Sequence, residues 1–305
     1  MSTFKSISNR NFSQTNVTNS AKTNPNTAGE MPPQPDNSEL PRLGQISFIN
    51  ALPVVLPIEK GIVKLKARTV AAPPGSLNQW LFEKRLDAGA IIGCLYRENA
   101  DNLELIESVA ISSLGAVGSV LLFCRDNVAN LSGAQIAVPD SSASSINLLR
   151  VLLKETHNIK VTLVPYQTPD FDAAEQGGVL LFGDQALTAD GELSMRYNRI
   201  DLGLWWQEMT SLPMVYGVWG ARKEFVETNR QAFAEIVQAL GAAKDAGLSS
   251  MFTEVLAEAH KRTNLDLQRL EQYYRRNLDF SMGSAHREGL KLYERLCRKH
   301  GLINS

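Results

Sequence analysis

The stretch Gly89-Ala90-Ile91-Ile92-Gly93 is a short, continuously apolar run that is bounded by glycines. Runs of this kind are typical of a strand that is buried on both faces of a parallel sheet. Just before it, Leu77, Trp80 and Leu81 recur at the spacing of a helix face. Buried strands that alternate with amphipathic helices predict an α/β fold with mostly parallel sheets whose faces are covered.

The same alternation continues in both directions along the chain. Further strands are predicted at 44–48, 64–70, 117–124, 135–138, 160–164, 179–182 and 214–219. Helices are predicted at 142–153 and through the region that starts at Lys223, and Ser76 with Gln79 is expected to form a capping box. Residues 1–42 are rich in Asn, Ser, Thr and Pro, so we expect a disordered tail that cannot offset its ordering entropy.

Composition limits the classes of function that the chain can serve. Its 305 residues are enough for two domains, and 44% hydrophobic with 21% charged residues is ordinary for a globular protein. The formal net charge of −1 provides no positive field for nucleic acid or anionic lipid. If the ligand is an anion, local dipoles and hydrogen bonds must therefore hold it.

The positions of cysteine, histidine and apolar residues exclude further classes of protein. Three scattered cysteines and four scattered histidines show neither a disulfide framework nor the spacing of a metal site, so we expect no metal. No run is long enough to span a bilayer, and the N-terminus lacks the apolar core of a secretory signal. The expected location is the cytoplasm, with no membrane partner.

Ligands in open α/β sheets bind beyond the carboxyl ends of the strands, so the residues after each strand are the informative ones. Asn50 follows the first strand and offers amide donors and an acceptor, although it could equally cap a local turn. Ser142–Ser145 opens a helix, where an anion could bind, or where one serine could simply cap the helix. Asp184 could orient a ligand hydroxyl or cap the next turn, and Ser119 lies within a strand.

Motifs of the common catalytic classes are absent from the sequence. There is no GxSxG elbow, no GxxxxGK[ST] phosphate loop, and no GxGxxG after the first strand. No histidine follows a predicted strand, where it could serve as a base. The sequence therefore favours a cleft that works by positioning and hydrogen bonding.

Seven collinear blocks together resemble the chorismate dehydratases of the futalosine route to menaquinone. They are SFINALP (47–53), VGSVLLF (117–123), SASSINLLR (142–150), LLFGDQAL (180–187), DLGLWWQEMTSLPMVYGVWGAR (201–222), YYRRNLDFS (273–281) and REGLKLYERLCRKHGLI (287–303). The resemblance extends from about Leu43 to Ile303.

The resemblance implies a two-lobed, type II periplasmic-binding-protein-like fold without export, in which two strands cross between the lobes. The first lobe would combine 43–123 with 216–305, and the second would span 124–215. Chorismate would lie in the hinge cleft and lose water to give 3-[(1-carboxyvinyl)oxy]benzoate, without a cofactor. The chain would act as a monomer or homodimer on this small dicarboxylate.

The resemblance also implies the residues of the site. Asn50 matches the family position that acts at the reacting ring carbons, and the substrate's own side-chain carboxylate could accept the proton. The implied substrate-binding residues are Ser47, Cys94, Ser119, Ser142, Ser144, Ser145 and Asp184. The sequence departs from the family where Gly93-Cys94-Leu95-Tyr96 replaces a usual Pro-Ser-Ile-Glu, because a thiol is a much weaker donor than a hydroxyl. Ser144 replaces a usual Thr and keeps the hydroxyl, and Ser211 replaces a usual Gly.

Other functions remain open at this point. The related 1,4-dihydroxy-6-naphthoate synthases share the implied fold but are expected to use a histidine base, which no predicted cleft position here provides. A non-catalytic protein that binds chorismate or a similar carboxylate is a second alternative, motivated by Cys94 and the long tail. Periplasmic solute capture is a third, and the missing export signal argues against it.

Overall fold

A computed structural model describes residues 40–140 and 143–303 of the chain. Within these ranges, ten strands form two five-stranded sheets, in the orders β2-β1-β3-β10-β4 and β7-β6-β8-β5-β9. The strands are β1 (Arg42–Ile46), β2 (Arg68–Ala72), β3 (Ala88–Ile92), β4 (Leu103–Ser113), β5 (Val120–Cys124), β6 (Gln135–Pro139), β7 (Thr162–Tyr166), β8 (Gly177–Phe182), β9 (Asn198–Asp201) and β10 (Met214–Arg222).

Helices lie between the strands and dominate the last third of the chain. They are α1 (Leu52–Glu59), α2 (Pro74–Phe82), α3 (Gly93–Glu98), α4 (Ala143–His157), α5 (Ala173–Gln176), α6 (Gly183–Leu193), α7 (Leu202–Thr210), α8 (Lys223–Thr228), α9 (Arg230–Leu248), α10 (Phe252–Thr263), α11 (Leu267–Gln272) and α12 (Ser284–Lys299). Short 3-10 turns occur at Ile49–Ala51 and Val128–Asn130, and a π-helical turn follows α11 at Tyr273–Asn277.

Each sheet with its helices forms one lobe, and the chain crosses between the lobes twice. The first lobe holds β1–β4 and β10, and the second holds β5–β9. The α/β, two-lobed fold predicted from the sequence is confirmed. Among the described strands, each sheet has two parallel and two antiparallel pairings, so the sheets are more evenly mixed than expected. Because β5 pairs with β8 and β9, the first crossing precedes Val120 instead of following Phe123.

Several local features differ from the sequence predictions. β4 and β9 were not predicted, and β1 already includes Arg42, which the predicted tail contained. The predicted capping box at Ser76 is wrong, because α2 begins two residues before Ser76, at Pro74, and its N-cap residue is Pro73. Proline is favoured in the first turn because the N–H that it lacks has no helical partner there. The remainder of the predicted tail lies outside the described residues.

The C-terminal helices pack against both lobes, although they follow the first lobe's last strand. The Arg269 guanidinium of α11 pairs with the buried Asp190 carboxylate of the second lobe. Tyr293 of α12 donates from its hydroxyl to the Ser144 carbonyl oxygen at 2.8 Å. Lys299 at the end of α12 pairs with Glu155 of α4 at 2.7 Å. These contacts tie the second lobe to the first at two places beyond the crossing segments.

Candidate active site between the two lobes

The carboxyl ends of strands from both sheets face a cleft of about 720 Å³, including its open mouth. Its lining is mostly apolar, with a few polar groups that could orient a ligand. The apolar part comes from Ile46, Phe48, Ala90, Ile91, Ile92, Ile111, Val117, Val120, Phe182 and Leu278, and the polar side chains are Asn50, Ser119, Ser144, Ser145 and Tyr216.

Asn50 brings an unsatisfied polar atom into this cleft. It lies in the 3-10 turn between β1 and α1, and its Oδ1 is buried without a hydrogen-bond partner among the described residues. The alternative in which Asn50 caps the local backbone is therefore wrong, because a cap needs this oxygen as an acceptor. A buried acceptor without a partner costs about 1–3 kcal/mol, so its presence in a cleft points to a ligand that completes it.

Three serine hydroxyls enter the cleft from the second lobe. Ser119 directly precedes β5, instead of lying within the strand as predicted, and is 4% exposed. Ser144 and Ser145 lie in the first turn of α4. The structure thus brings together four of the residues that the sequence pointed to, Asn50 and these three serines. Their hydroxyls are neutral donors on the side of the cleft opposite Asn50.

Charge is nearly absent from the cleft lining. Among the described residues that line it, none is Lys, Arg, His, Asp or Glu. The first turns of α4 and α6 line the cleft, and helix N-termini carry about half a unit of positive charge. The electrostatics therefore suit a ligand carboxylate held by dipoles and neutral donors, as the near-zero net charge led us to expect.

Asp184 does not line the cleft, because its carboxylate is directed to the other lobe. Its Oδ1 accepts a hydrogen bond from the Ile49 backbone N–H at 3.1 Å. Burial raises the pKa of Asp184 to about 6, while the Ile49 N–H and the Arg262 guanidinium act in the opposite direction. Arg262 in turn donates to the Ser47 carbonyl oxygen at 3.4 Å, and Ser47 also lies outside the cleft lining. Asp184 thus belongs to a contact between the lobes, beside the cleft. The hydrogen bond from Arg262 to Ser47 stays within the first lobe.

The side chains of two other predicted site residues lie outside the described part of the structure. Cys94 is the second residue of α3, directly after β3, and its side chain is outside the described set. Ser142 lies outside the described residues altogether. Both therefore remain predictions.

Four tyrosines near the cleft were not found by the strand-end argument. Tyr216 of β10 lines the cleft with its hydroxyl 3.2 Å from the Ser113 hydroxyl, and burial raises its pKa well above the usual value. Tyr273, Tyr274 and Tyr293 lie behind the site, and their hydroxyls donate to Ser119 Oγ, the Ile49 carbonyl and the Ser144 carbonyl. Tyr273 and Tyr274 are adjacent and both buried, which does not fit the single apolar face of a regular helix. Their adjacency in the sequence is the signal that could have pointed to this pair.

Asp201 fixes the segment that leads into the cleft from the first crossing. Its carboxylate accepts from the backbone N–H groups of Val117 and Gly118 at 3.0 and 2.7 Å. It also accepts from Gly203 and Leu204, where it caps α7. One buried carboxylate therefore joins the crossing segment to the second lobe, next to Ser119.

The described residues contain no group of three or more His, Cys, Asp or Glu side chains placed to hold a metal ion. No helix in the described ranges is both long and apolar enough to cross a membrane.

Residues 41–299 match a family model described as menaquinone biosynthesis. The chain belongs to this menaquinone-biosynthesis family. It is 30% identical to the chorismate dehydratase of Thermus thermophilus over 248 residues. This alignment covers 74% of this chain and 85% of that protein. It is also 26% identical over 172 residues to the 1,4-dihydroxy-6-naphtoate synthase of the same organism, covering 53% of this chain and 58% of that protein. The resemblance predicted from the sequence is confirmed.

Solved structures show how widely this family's fold is used. Protein AF1704 from Archaeoglobus fulgidus aligns with a TM-score of 0.68 at 19% identity, covering 88% of this chain and all of that one. The alkanesulfonate-binding protein SsuA of Xanthomonas axonopodis pv. citri aligns with a TM-score of 0.64 at 16% identity, covering 90% and 96%. At these identities the likeness shows the periplasmic-binding-protein fold alone.

Proposed function

We propose that this member of the menaquinone-biosynthesis family dehydrates chorismate to 3-[(1-carboxyvinyl)oxy]benzoate. The observation that carries the choice of substrate is the 30% identity to a chorismate dehydratase over 85% of that enzyme's length. The fold cannot carry it, because the same fold serves sulfonate-binding proteins. A biosynthetic reaction of this kind also fits the cytoplasmic location expected from the sequence.

Chorismate carries two carboxylates, one on the ring and one on the enolpyruvyl side chain, and a ring hydroxyl. In the proposed complex, the hydroxyls of Ser119, Ser144 and Ser145 hold a carboxylate at the first turn of α4. The apolar walls, with Phe48 and Phe182 in edge-to-face contact at 5.5 Å, exclude water around the ring. Hydrogen bonds to the carboxylate gain strength from this low-dielectric surrounding.

The reaction removes the ring hydroxyl and the hydrogen on the neighbouring ring carbon that bears the ether oxygen. No electrons leave or enter the substrate, so the chemistry requires no redox cofactor, and the product ring is aromatic. Asn50 is the proposed catalytic residue. Its unpartnered Oδ1 can accept from the ring hydroxyl, and its amide N–H can donate to that oxygen as it leaves. An amide is too weak a base to take the ring proton, which we assign to the substrate's side-chain carboxylate, so Asn50 acts by positioning.

The test is to incubate the purified chain with chorismate and to follow the benzoate product by chromatography. We expect turnover by the wild type and a loss of about 100-fold or more in kcat for Asn50→Ala. The matched control is Asn99→Ala, whose side chain donates to the Leu95 carbonyl away from the cleft and should leave kcat unchanged.

Stability separates a catalytic Asn50 from a structural one. Removing a buried oxygen that has no partner costs nothing in the unliganded protein, so Asn50→Ala should unfold at the same denaturant concentration as the wild type or at a higher one. An Asn50→Ala variant that is both inactive and destabilised would mean that Asn50 supports the fold. Tight chorismate binding without product would instead make the chain a carboxylate-binding protein.

A further inference from the structure

The π-helical turn Tyr273–Asn277 contacts both lobes and the crossing segment with three polar side chains. Tyr273 donates to Ser119 Oγ in the second lobe at 3.0 Å. Tyr274 donates to the Ile49 carbonyl in the first lobe at 2.7 Å, and Asn277 donates to the Ala116 carbonyl at 2.8 Å. Both tyrosines of this turn are buried, each 2% exposed.

The hydrogen bond from Tyr273 differs from the other two because its acceptor is a side chain that lines the cleft. A serine hydroxyl rotates freely and can donate in several directions. When the Tyr273 O–H donates to the Ser119 oxygen, the Ser119 proton has to point away from Tyr273. No hydrogen bond donated by the Ser119 hydroxyl is found among the described residues, and this hydroxyl borders the cleft.

Tyr273 is the donor of this pair, because its O–H is directed at the Ser119 oxygen. Burial raises the pKa of its hydroxyl, so the proton stays on the tyrosine at neutral pH. A hydroxyl that accepts a hydrogen bond becomes a better donor, because neighbouring hydrogen bonds polarise one another in a low-dielectric site. Tyr273 itself does not line the cleft.

We propose that Tyr273 is a positioning residue that orients the Ser119 hydroxyl as a donor toward a carboxylate of the substrate. This inference rests on the proposed function only for the identity of that substrate. Tyr273 touches no reacting atom, and its contribution passes entirely through Ser119. The buried pair is therefore a specificity device for an anionic group, built from two uncharged side chains.

A double-mutant cycle tests whether the effect passes through Ser119. Tyr273→Phe keeps the ring that packs 5.4 Å from Tyr274 and removes only the hydroxyl. We expect Tyr273→Phe to raise Kd and KM for chorismate by about 3- to 10-fold and to leave kcat within about 2-fold, since a carboxylate anchor acts on substrate and transition state alike. Ser119→Ala should weaken binding at least as much, and adding Tyr273→Phe to it should change Kd no further.

The control is Tyr166→Phe, which removes a hydroxyl that donates to the Leu180 carbonyl in the second lobe's own core and should leave Kd unchanged. Additive effects of Tyr273→Phe and Ser119→Ala on Kd would overturn the inference, as would a loss confined to kcat or a Ser119→Ala variant that binds chorismate normally. Calorimetry gives Kd when the cycle is built in the slow Asn50→Ala background, where turnover does not contribute to the heat. An inactive wild-type protein that binds chorismate would therefore disprove the proposed reaction, while the cycle would still decide the role of Tyr273.

Discussion

Replacing Asp184 by asparagine should stabilise the protein at neutral pH, although it removes a charge next to the candidate active site. The Asp184 carboxylate is partly buried between the lobes, where the Ile49 N–H donates to it and Arg262 is the cation that acts on it. Asparagine has nearly the same shape and can present its oxygen to the same N–H. The variant therefore isolates the free-energy cost of burying the charge.

The size and sign of the effect follow from the pKa. Burial raises the pKa of Asp184 from 3.8 to about 6, so the folded protein binds this proton more tightly than the unfolded chain does. The wild type therefore loses stability as pH rises from about 4 to about 6, and the full cost, at most about 3 kcal/mol, is present above that window. We expect Asp184→Asn to be more stable than the wild type by about 1–3 kcal/mol at about pH 7.5, and equal to it near pH 4.

Urea unfolding of both proteins, followed by tryptophan fluorescence at several pH values, measures this difference. The reasoning fails if Asp184→Asn is less stable than the wild type at about pH 7.5, which would mean that the ionised carboxylate stabilises the contact between the lobes. It also fails if the difference between the two proteins is the same at all pH values, because burial of the charge would then not be its cause.

Three further changes test other parts of the structure. Asp201→Asn should destabilise the fold by about 2–4 kcal/mol in the same assay, since an amide offers one oxygen to the four backbone N–H groups that the carboxylate serves. Gly247→Ala should destabilise by about 3 kcal/mol because its Cβ would lie 1.9 Å from the Pro53 carbonyl oxygen, whereas Gly241→Ala on the same helix meets only ordinary contacts and should be neutral or stabilising. Phe182→Ala should weaken chorismate binding by about 3- to 10-fold in calorimetry, with the fold retained, since it removes one ring of the edge-to-face pair in the cleft wall.

Strands with uniform burial could be predicted from the sequence, whereas β4 could not. All five residues of β3 are buried, and its apolar run stands out in the sequence. β4 starts with Leu103-Glu104-Leu105-Ile106-Glu107, whose apolar spacing is neither strictly alternating nor helical. Its pairing with β10 contains two register irregularities, and these shift which residues face the core.

Some residues of the candidate site could also be predicted from the sequence, and others could not. Asn50 and the serines of α4 could be predicted, because they lie where a strand ends or a helix begins. Ser119 directly precedes β5, and only the family resemblance pointed to it. Tyr273 acts from more than 150 residues away in the sequence from Ser119, and only the fold brings the two hydroxyls together. For Asp184, the sequence predicted the position directly after a strand. It could not predict the direction of the carboxylate, because that depends on how the two lobes meet.

The position of β10 also affects the order in which the chain can fold during synthesis. β10 lies between β3 and β4 and pairs with both, so those two strands keep unpaired edges until Met214–Arg222 has left the ribosome. The second lobe's sheet, by contrast, is built from the continuous stretch 120–201 and is complete earlier. The second lobe, which is encoded in the middle of the chain, can therefore fold first. Until β10 has been synthesised, the exposed edges of β3 and β4 could pair with other strands, so rapid folding of the second lobe shortens the time of exposure.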